Sequence, residues 1–479
     1  MRLQRADDIR SQFSSHHQVF KYFILFAPFT LASLFDFVPI ASYLIAWSGS
    51  FFIFFVVLTG RIKPLPSDRP VSDQLMRPVF LVQIIFAGYM SCTSIFYFWS
   101  NLGYYYSQQS LPINEDALAL IAQCQRYYCL GHAALVTGIL VFMKYPVMSK
   151  YYIEKQKVAN LLLTIALVAY PLSLLFLASP GLSQFYFQLN SLSFIAGTLA
   201  LAFALPMQKL ANLSLCLILY AFNFYSALLS GFKEPIIISV VVLGVFLYPS
   251  YKKMVVVTFI PLLLILFLFL PSYVNSFRGS TNSGEESSDN ASRIALDEAL
   301  NGDSMDETNW GFLVYRLSEI DMFTHYVKST PDDVAFYKLQ LVKQSLIAIV
   351  PRFFWPTKPI TEDLIMERVY NANVINRGSS ASAKPAVIVD AYLSYGAGGI
   401  LICLFVYGAL AQLISIRAEK LFGGYVMGCA LIFSGLFQVF WRGLSFEFLV
   451  NSVFWSYVSM WVIFKLLRVK NIIKVRDIV

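Results

Sequence analysis

Long apolar runs constrain this chain more than any other feature. The sequence has twelve of them, most close to the roughly 20 residues that a helix needs to cross a bilayer. Within lipid, such a run satisfies its own backbone hydrogen bonds as an α-helix. The sequence therefore predicts an all-α polytopic membrane protein with helices over about 20–36, 38–60, 79–99, 117–143, 159–179, 183–205, 211–231, 235–249, 254–273, 387–414, 421–441 and 447–466.

Composition agrees with this class. The 479 residues are 57% hydrophobic and 13% charged, against about 25% charged in soluble domains. All six cysteines fall in apolar runs, which gives no disulfide framework and no zinc spacing. The polar N-terminus leads into the first run without a signal-cleavage pattern, so we expect that helix to be retained.

The distribution of basic residues predicts the orientation. Placing the N-terminus inside assigns 22 of the 36 Lys and Arg residues to cytoplasmic segments, as the positive-inside rule requires. The net charge of +8 is then a topology signal rather than a nucleic-acid footprint. We expect nine helices in 1–273 after a cytoplasmic N-terminus, a large outer loop over 274–386, and three helices in 387–479 before a cytoplasmic C-terminus.

The loop has 15 acidic and 11 basic residues, and a loop of this length is typically functional or disordered. Residues 279–308 are polar and predicted to be mobile. Helical periodicity covers 309–329. Residues 333–350 predict an amphipathic helix that lies on the membrane surface and ends at Pro351. The segment PRFFWPTKP, 351–359, predicts a stiff aromatic turn.

Motifs of soluble enzymes are absent from the sequence. It contains no P-loop, G-x-G-x-x-G, H-E-x-x-H, Cys-x-x-Cys or G-x-S-x-G. The four histidines do not cluster, so we expect neither a metal site nor a cofactor. His132 in CLGHAAL leaves a membrane acyltransferase open as an alternative.

Cations recur near the predicted outer face. Guanidinium and ammonium groups bind phosphates, so a shared location would form a polyanion site, most simply for a lipid pyrophosphate. The alternative is that they bind lipid headgroups or pair with Glu319, Asp321, Glu362 or Asp363. Arg126, inside the fourth helix, is expected to face a cavity or an acid such as Asp390. The predicted outer cations are Lys233, Arg278, Arg316, Arg352, Lys358 and Arg442.

Five local patterns resemble the Wzy-type O-antigen and exopolysaccharide repeat-unit polymerases, a group that includes the O-antigen ligases. They are SGFKEP at 230–235, SFRGS at 276–280, VYRLSEID at 314–321, PRFFWPTKP at 351–359 and VDAYLSYGAGG at 389–399. The resemblance implies a GT-C-like membrane glycosyltransferase in the bacterial inner membrane. Its substrates would be undecaprenyl-pyrophosphate-linked oligosaccharides, joined with inversion and without a metal.

The resemblance also implies roles for individual residues. Lys233 and Arg278 would contact the pyrophosphate, and Arg316 and Arg352 would complete the clamp or orient the acceptor. The catalytic base stays open among Glu319, Asp321 and His325.

Other functions remain open at this point. A ligase would transfer finished glycan to another acceptor, although the late histidine motif typical of ligases is not evident. A transporter or flippase is a further alternative, but the sequence shows neither repeated halves nor an interrupted membrane helix. Membrane lipids, a flippase and a chain-length regulator are the expected partners; nucleic acid is not.

Overall fold

In a computed structural model of the protein, the apolar runs form helices. The structure describes residues 20–104, 115–154, 157–179, 181–207, 210–229, 233–282, 290, 293–297, 305–315, 317–377 and 383–476. Nearly all of the described secondary structure is helical, as predicted. One short antiparallel pairing joins strand β1, Tyr151–Tyr152, to strand β2, Lys474–Val475.

The bundle helices before the long loop follow the predicted runs closely. They are α1 (Phe20–Leu34), α2 (Pro39–Leu58), α3 (Leu81–Asn101), α4 (Glu115–Phe142), α5 (Val158–Ala178), α6 (Tyr186–Met207), α7 (Leu210–Leu229), α8 (Lys233–Leu247) and α9 (Lys252–Asn282).

Further helices follow in the described part of the loop and in the last part of the bundle. They are α10 (Met305–Tyr315), α11 (Ile320–Ser329), α12 (Gln340–Ile349), α13 (Thr361–Asn371), α14 (Val387–Leu421), α15 (Val426–Leu436), α16 (Val439–Arg442) and α17 (Phe446–Val469).

Whether a helix can cross a bilayer depends on its length and on how apolar it is. Among the described residues, seven helices are long and apolar enough to span a bilayer, namely α2, α3, α5, α9, α14, α17 and the segment Ser183–Pro206, which overlaps α6. Shorter apolar helices, α1, α7, α8 and α15, account for four more of the predicted runs. The chain thus has the architecture of an all-α membrane protein.

The centre of the bundle is the close contact between α4 and α14. A side chain at Gly138 would overlap the carbonyl of Phe405, and one at Gly408 would overlap the carbonyl of Leu135. Small residues allow two helix backbones to approach, which is how membrane helices gain packing energy in lipid. The two glycines therefore fix the separation of α4 and α14.

The helices α10–α13 gather at one end of the bundle, called here the loop end. The helix α13 was not predicted, and the two predicted loop helices differ from the observed ones. The periodic segment 309–329 is split into α10 and α11, with a non-helical connection that includes Leu317 and Ser318. The amphipathic helix predicted over 333–350 is confirmed only as α12, because residues 333–339 turn back towards α14.

The opposite end of the bundle is held by a buried guanidinium. Arg77 donates to both carboxylate oxygens of Asp68, at 2.7 and 2.8 Å, and to Glu419 of α14, at 3.1 and 3.2 Å. The guanidinium carbon of Arg77 lies 3.9 Å from the ring centre of Tyr145. The hydrogen bonds from Arg77 lower the pKa of Asp68.

Candidate functional site

The three candidate bases belong to one short element at the loop end. Glu319 is the N-cap residue of α11, Asp321 lies in its first turn, and His325 follows one turn later with an exposed side chain. The Tyr97 hydroxyl of α3 donates to Asp321 Oδ1 at 2.6 Å. Since residues four apart share a helix face, Asp321 and His325 lie on the same side of α11.

Packing and hydrogen bonds fix α11 against the bundle. Ser318 Oγ donates to the Met90 carbonyl at 3.2 Å, and Thr93 Oγ1 donates to the Leu317 carbonyl at 3.3 Å. On α3, Met90 lies within a π-helical segment, Phe86–Cys92, and Thr93 directly follows it. Such wide turns often occur at functional sites. The side chain of Phe323 is fully buried and packs with its ring centre 5.4 Å from that of Tyr128.

A buried ionic cluster joins the loop to two bundle helices. Arg368 of α13 donates to both oxygens of Glu447, at 2.7 and 3.0 Å, and to Asp390 Oδ2 at 3.3 Å. Asp390 Oδ2 also accepts the backbone N–H of Phe446 at 2.8 Å. Asp390 and Glu447 are fully buried, and Arg368 is 2% exposed. The cluster thus fixes α13 to the first turns of α14 and α17.

The cluster sets two acids against one guanidinium. Burial opposes the charge on Arg368, but the two carboxylates outweigh it and raise the pKa of this guanidinium. The expectation that Arg126 pairs with Asp390 is wrong, since Asp390 binds Arg368, whereas Arg126 Nη1 donates to Ser42 Oγ at 2.7 Å and interacts electrostatically with Asp36. Sequence reasoning missed Arg368 and Glu447 as partners, although an acid at the start of a membrane helix is costly without one.

A break in α14 lies next to this cluster. Tyr395 and Gly396 have non-helical backbone angles, with φ of Gly396 at +59°. The N–H groups of Tyr337 and Lys338 bond to the freed carbonyls of Leu393 and Ser394, at 2.9 and 3.1 Å. The expectation that no membrane helix is interrupted is therefore wrong here, because the loop replaces the lost intrahelical bonds.

The predicted cations fall into two groups. For Lys233, Arg278 and Arg442 the structure describes the backbone but not the side chain. Lys233 begins α8 and Arg278 lies in the last part of α9, so both are at the loop end, and Arg442 is the last residue of α16. Arg316 lies outside the described residues. The predicted pyrophosphate clamp stays a prediction for these four.

Two of the predicted cations have described side chains, and both belong to the aromatic turn 351–359. Arg352 Nη2 donates to the Pro359 carbonyl at 3.4 Å. Lys358 is buried and donates to the carbonyls of Ala348 and Val350, at 3.2 and 2.7 Å. Burial, reinforced by the nearby positive charge of Arg352, lowers the pKa of Lys358. Lys358 thus caps the end of α12, and its predicted role in binding a pyrophosphate stays a prediction.

An apolar groove of about 680 Å³ runs along the bundle between α12, α14 and α17. Ser345 and Phe446 line its loop end, and Arg417 lines it near the opposite end. Ile402 and Val406, on its wall, are 65% and 46% exposed, so the groove opens onto the side of the bundle. Phe446 connects it to the ionic cluster through its bond to Asp390.

Among the described residues, no group of three or more His, Cys, Asp or Glu side chains is arranged to hold a metal ion. The acids and the histidine of α11 can exchange protons, whereas the groove between α12, α14 and α17 is lined by apolar side chains.

Comparisons with known proteins identify a family. No curated protein and no solved structure is significantly similar to the chain. Residues 27–475, nearly the whole sequence, match a family described as a domain of unknown function, DUF8712, and the chain belongs to this family.

Proposed function

We propose that the protein is a membrane glycosyltransferase that joins undecaprenyl-pyrophosphate-linked oligosaccharide repeat units into a surface polysaccharide. In this proposal all twelve apolar segments cross the bacterial cytoplasmic membrane and both termini are cytoplasmic. The loop end faces outward, and the fold belongs to the GT-C-like glycosyltransferases.

The observation that carries the proposal is the lateral groove between α14 and α17. Its lining is mostly apolar, it opens sideways where lipid would be, and it reaches α12 of the loop. Such a shape fits a long hydrocarbon chain whose polar head must reach the loop end. A substrate linked to a polyprenyl lipid has this form, whereas a water-soluble sugar nucleotide does not.

The acids of α11 supply the second support. In the proposed step, the oxygen of an acceptor hydroxyl forms a bond to the anomeric carbon of the donor glycan. The bond from that carbon to the pyrophosphate oxygen breaks, and its electron pair leaves with the pyrophosphate. The hydroxyl proton passes to the base, for which Asp321, Glu319 and His325 remain the candidates.

Positive charge must stabilise the leaving pyrophosphate as charge develops. We assign this role to Lys233, Arg278, Arg316 and Arg352, with Arg442 as a further candidate. The positions of Lys233 and Arg278 at the loop end are compatible with the assignment. Lys358 stays a further candidate, although its ammonium group donates to two backbone carbonyls.

The test is the lipid-linked glycan profile of a cell from which the gene is deleted. Loss of a polymerase leaves single lipid-linked repeats, and the long chains disappear. Accumulation of long lipid-linked chains would instead indicate a ligase. An unchanged glycan profile, with the deletion verified, would overturn the proposal.

A variant pair connects the glycan profile to the groove. Val406→Trp places a large ring in the groove and should reduce long-chain product in a complemented deletion strain. Leu401→Trp is the matched control, because Leu401 is exposed on the same helix and does not line the groove. Equal amounts of long-chain product from both variants, at equal protein level, would contradict the binding of the substrate lipid in the groove.

A further inference from the structure

The segment from α12 to α13 forms a hairpin. It runs from the loop end along the side of α17 and then returns to the loop end. Near its start, Gln344 Oε1 accepts a hydrogen bond from Arg368 at 3.3 Å, and Arg368 binds Glu447 in the first turn of α17. At the end of α12, the Ile349 carbonyl accepts a hydrogen bond from Trp455 Nε1 at 2.8 Å. Trp455 lies two turns further along α17, which is about 12 Å at 1.5 Å per residue. The helix α12 therefore runs down the side of a membrane-spanning helix.

The return path brings α13 back to the level of Glu447. Residues 351–359 form the tip of this hairpin, and α13 carries Arg368 up to the ionic cluster. The tip rests against the connection between α5 and α6, where a side chain at Gly181 would come within 2.9 Å of the Phe353 nitrogen. Both ends of the hairpin thus lie at the loop end, and its tip lies deeper.

The tip satisfies several of its own backbone groups internally, which lowers the cost of placing them in lipid. The N–H groups of Phe354 and Trp355 donate to the Pro351 carbonyl, at 3.0 and 3.2 Å, and the N–H of Lys358 donates to the Trp355 carbonyl at 3.2 Å. The ammonium group of Lys358 covers two further carbonyls. Prolines at 351, 356 and 359 have no N–H to satisfy.

The side chains of the tip point outward in spite of being apolar. Phe353, Phe354 and Trp355 are 65%, 72% and 39% exposed. Leu346 on α12 is also exposed. Leaving such rings in water is unfavourable, because their apolar surface stays hydrated. The tip contains no acidic residue, and the first acids of α13 come only at Glu362 and Asp363.

We propose that residues 340–371 form a re-entrant wedge, with the Phe353–Phe354–Trp355 tip inserted into the lipid leaflet at the loop end. Contiguous exposed aromatic surface marks an interaction site, and aromatic rings are enriched where protein meets the membrane interface. The position of the tip, against the outer connection between α5 and α6 and beside Trp455 of α17, favours the membrane interface over a protein partner in water. Because Ser345 and Ile349 of α12 also line the groove, the wedge would border its mouth.

Spin labelling of the full-length protein in lipid vesicles tests the wedge. A nitroxide is attached to Phe354→Cys, or in a second variant to Phe353→Cys, after the six native cysteines are replaced. The label should collide more with oxygen than with a water-soluble nickel complex, as a label on Leu264→Cys of α9 should. A label on Asp332→Cys, exposed in the loop, provides the aqueous reference.

A tip label as accessible to nickel as the Asp332 label would overturn the proposal and leave a water-facing surface for a protein partner. Should the cysteine-free chain misfold, brominated lipids test the native chain through Trp355. Trp355→Phe should remove a quenched component of the fluorescence of the seven tryptophans, and an unchanged quenched fraction would again contradict the wedge. Neither assay depends on glycosyltransferase activity.

Discussion

Arg368 and Glu447 form a buried, two-pronged ion pair that attaches the long loop to the last membrane helix. Their hydrogen bonds measure 2.7 and 3.0 Å, and Asp390 lies within 3.3 Å of the same guanidinium. In the sequence, Glu447 lies 79 residues and Asp390 lies 22 residues from Arg368. The junction fixes α13, the last loop helix, against the first turns of α14 and α17.

Arg368→Gln should destabilise the protein strongly. The substitution leaves two buried carboxylates without their cation, which typically costs on the order of 3–5 kcal/mol. The melting temperature in detergent should fall, and protease should cut the loop sooner. The double variant Arg368→Gln/Glu447→Gln should recover part of the loss, because it removes one of the uncompensated charges. A single variant as stable as the wild type would show that the pair does not hold the loop.

Gly408→Ala should weaken the contact between α4 and α14. The added methyl group would overlap the Leu135 carbonyl, and overpacking of this kind costs roughly 1–3 kcal/mol. Gly398→Ala is the control on the same helix, since a side chain there meets open space. Thermal unfolding in detergent should separate the two variants. Equal melting temperatures would contradict the close approach of the two backbones.

Asp68 should make the other end of the bundle sensitive to acid. Its pKa is lowered in the folded protein by the hydrogen bonds from Arg77, so its contribution to stability is present above the ordinary carboxyl pKa. That contribution is lost as the pH falls through the lowered value. The melting temperature of the wild type should therefore drop more on acidification than that of Asp68→Asn. Parallel curves for both proteins would argue against the pairing.

Asp321→Asn distinguishes among the candidate bases. If Asp321 accepts the proton, the variant should lose about 100-fold or more of the polymerisation rate. Tyr97→Phe removes only the hydrogen bond to Asp321 and should reduce the rate far less. His325→Ala and Glu319→Gln complete the comparison. Full activity of Asp321→Asn would transfer the role to one of those two residues.

Much of the fold follows from the sequence, because the apolar runs alone locate the bundle helices. The details that shape the loop end do not. The π-helical turn at Phe86–Cys92 has no periodic signal that separates it from an α-helix. The interruption of α14 depends on Gly396, one of three glycines in YGAGG, and on backbone bonds from residues 337 and 338.

The candidate site was predictable only where its residues are close in sequence. Glu319, Asp321 and His325 share one element, as the motif implied. Arg368, Asp390 and Glu447 meet through tertiary packing, so charge type alone could not assign their pairing. Lys358 reads as a surface cation in PRFFWPTKP, yet the turn folds around its ammonium group.

The most direct test of the account is reconstitution. Purified protein in vesicles, supplied only with a homogeneous undecaprenyl-pyrophosphate-linked repeat unit, should convert it into a ladder of longer lipid-linked chains. Arg278→Ala should yield no ladder while folding normally. A folded wild-type protein that leaves the single repeat unit unchanged, or that only moves it across the bilayer, would contradict the proposed polymerase.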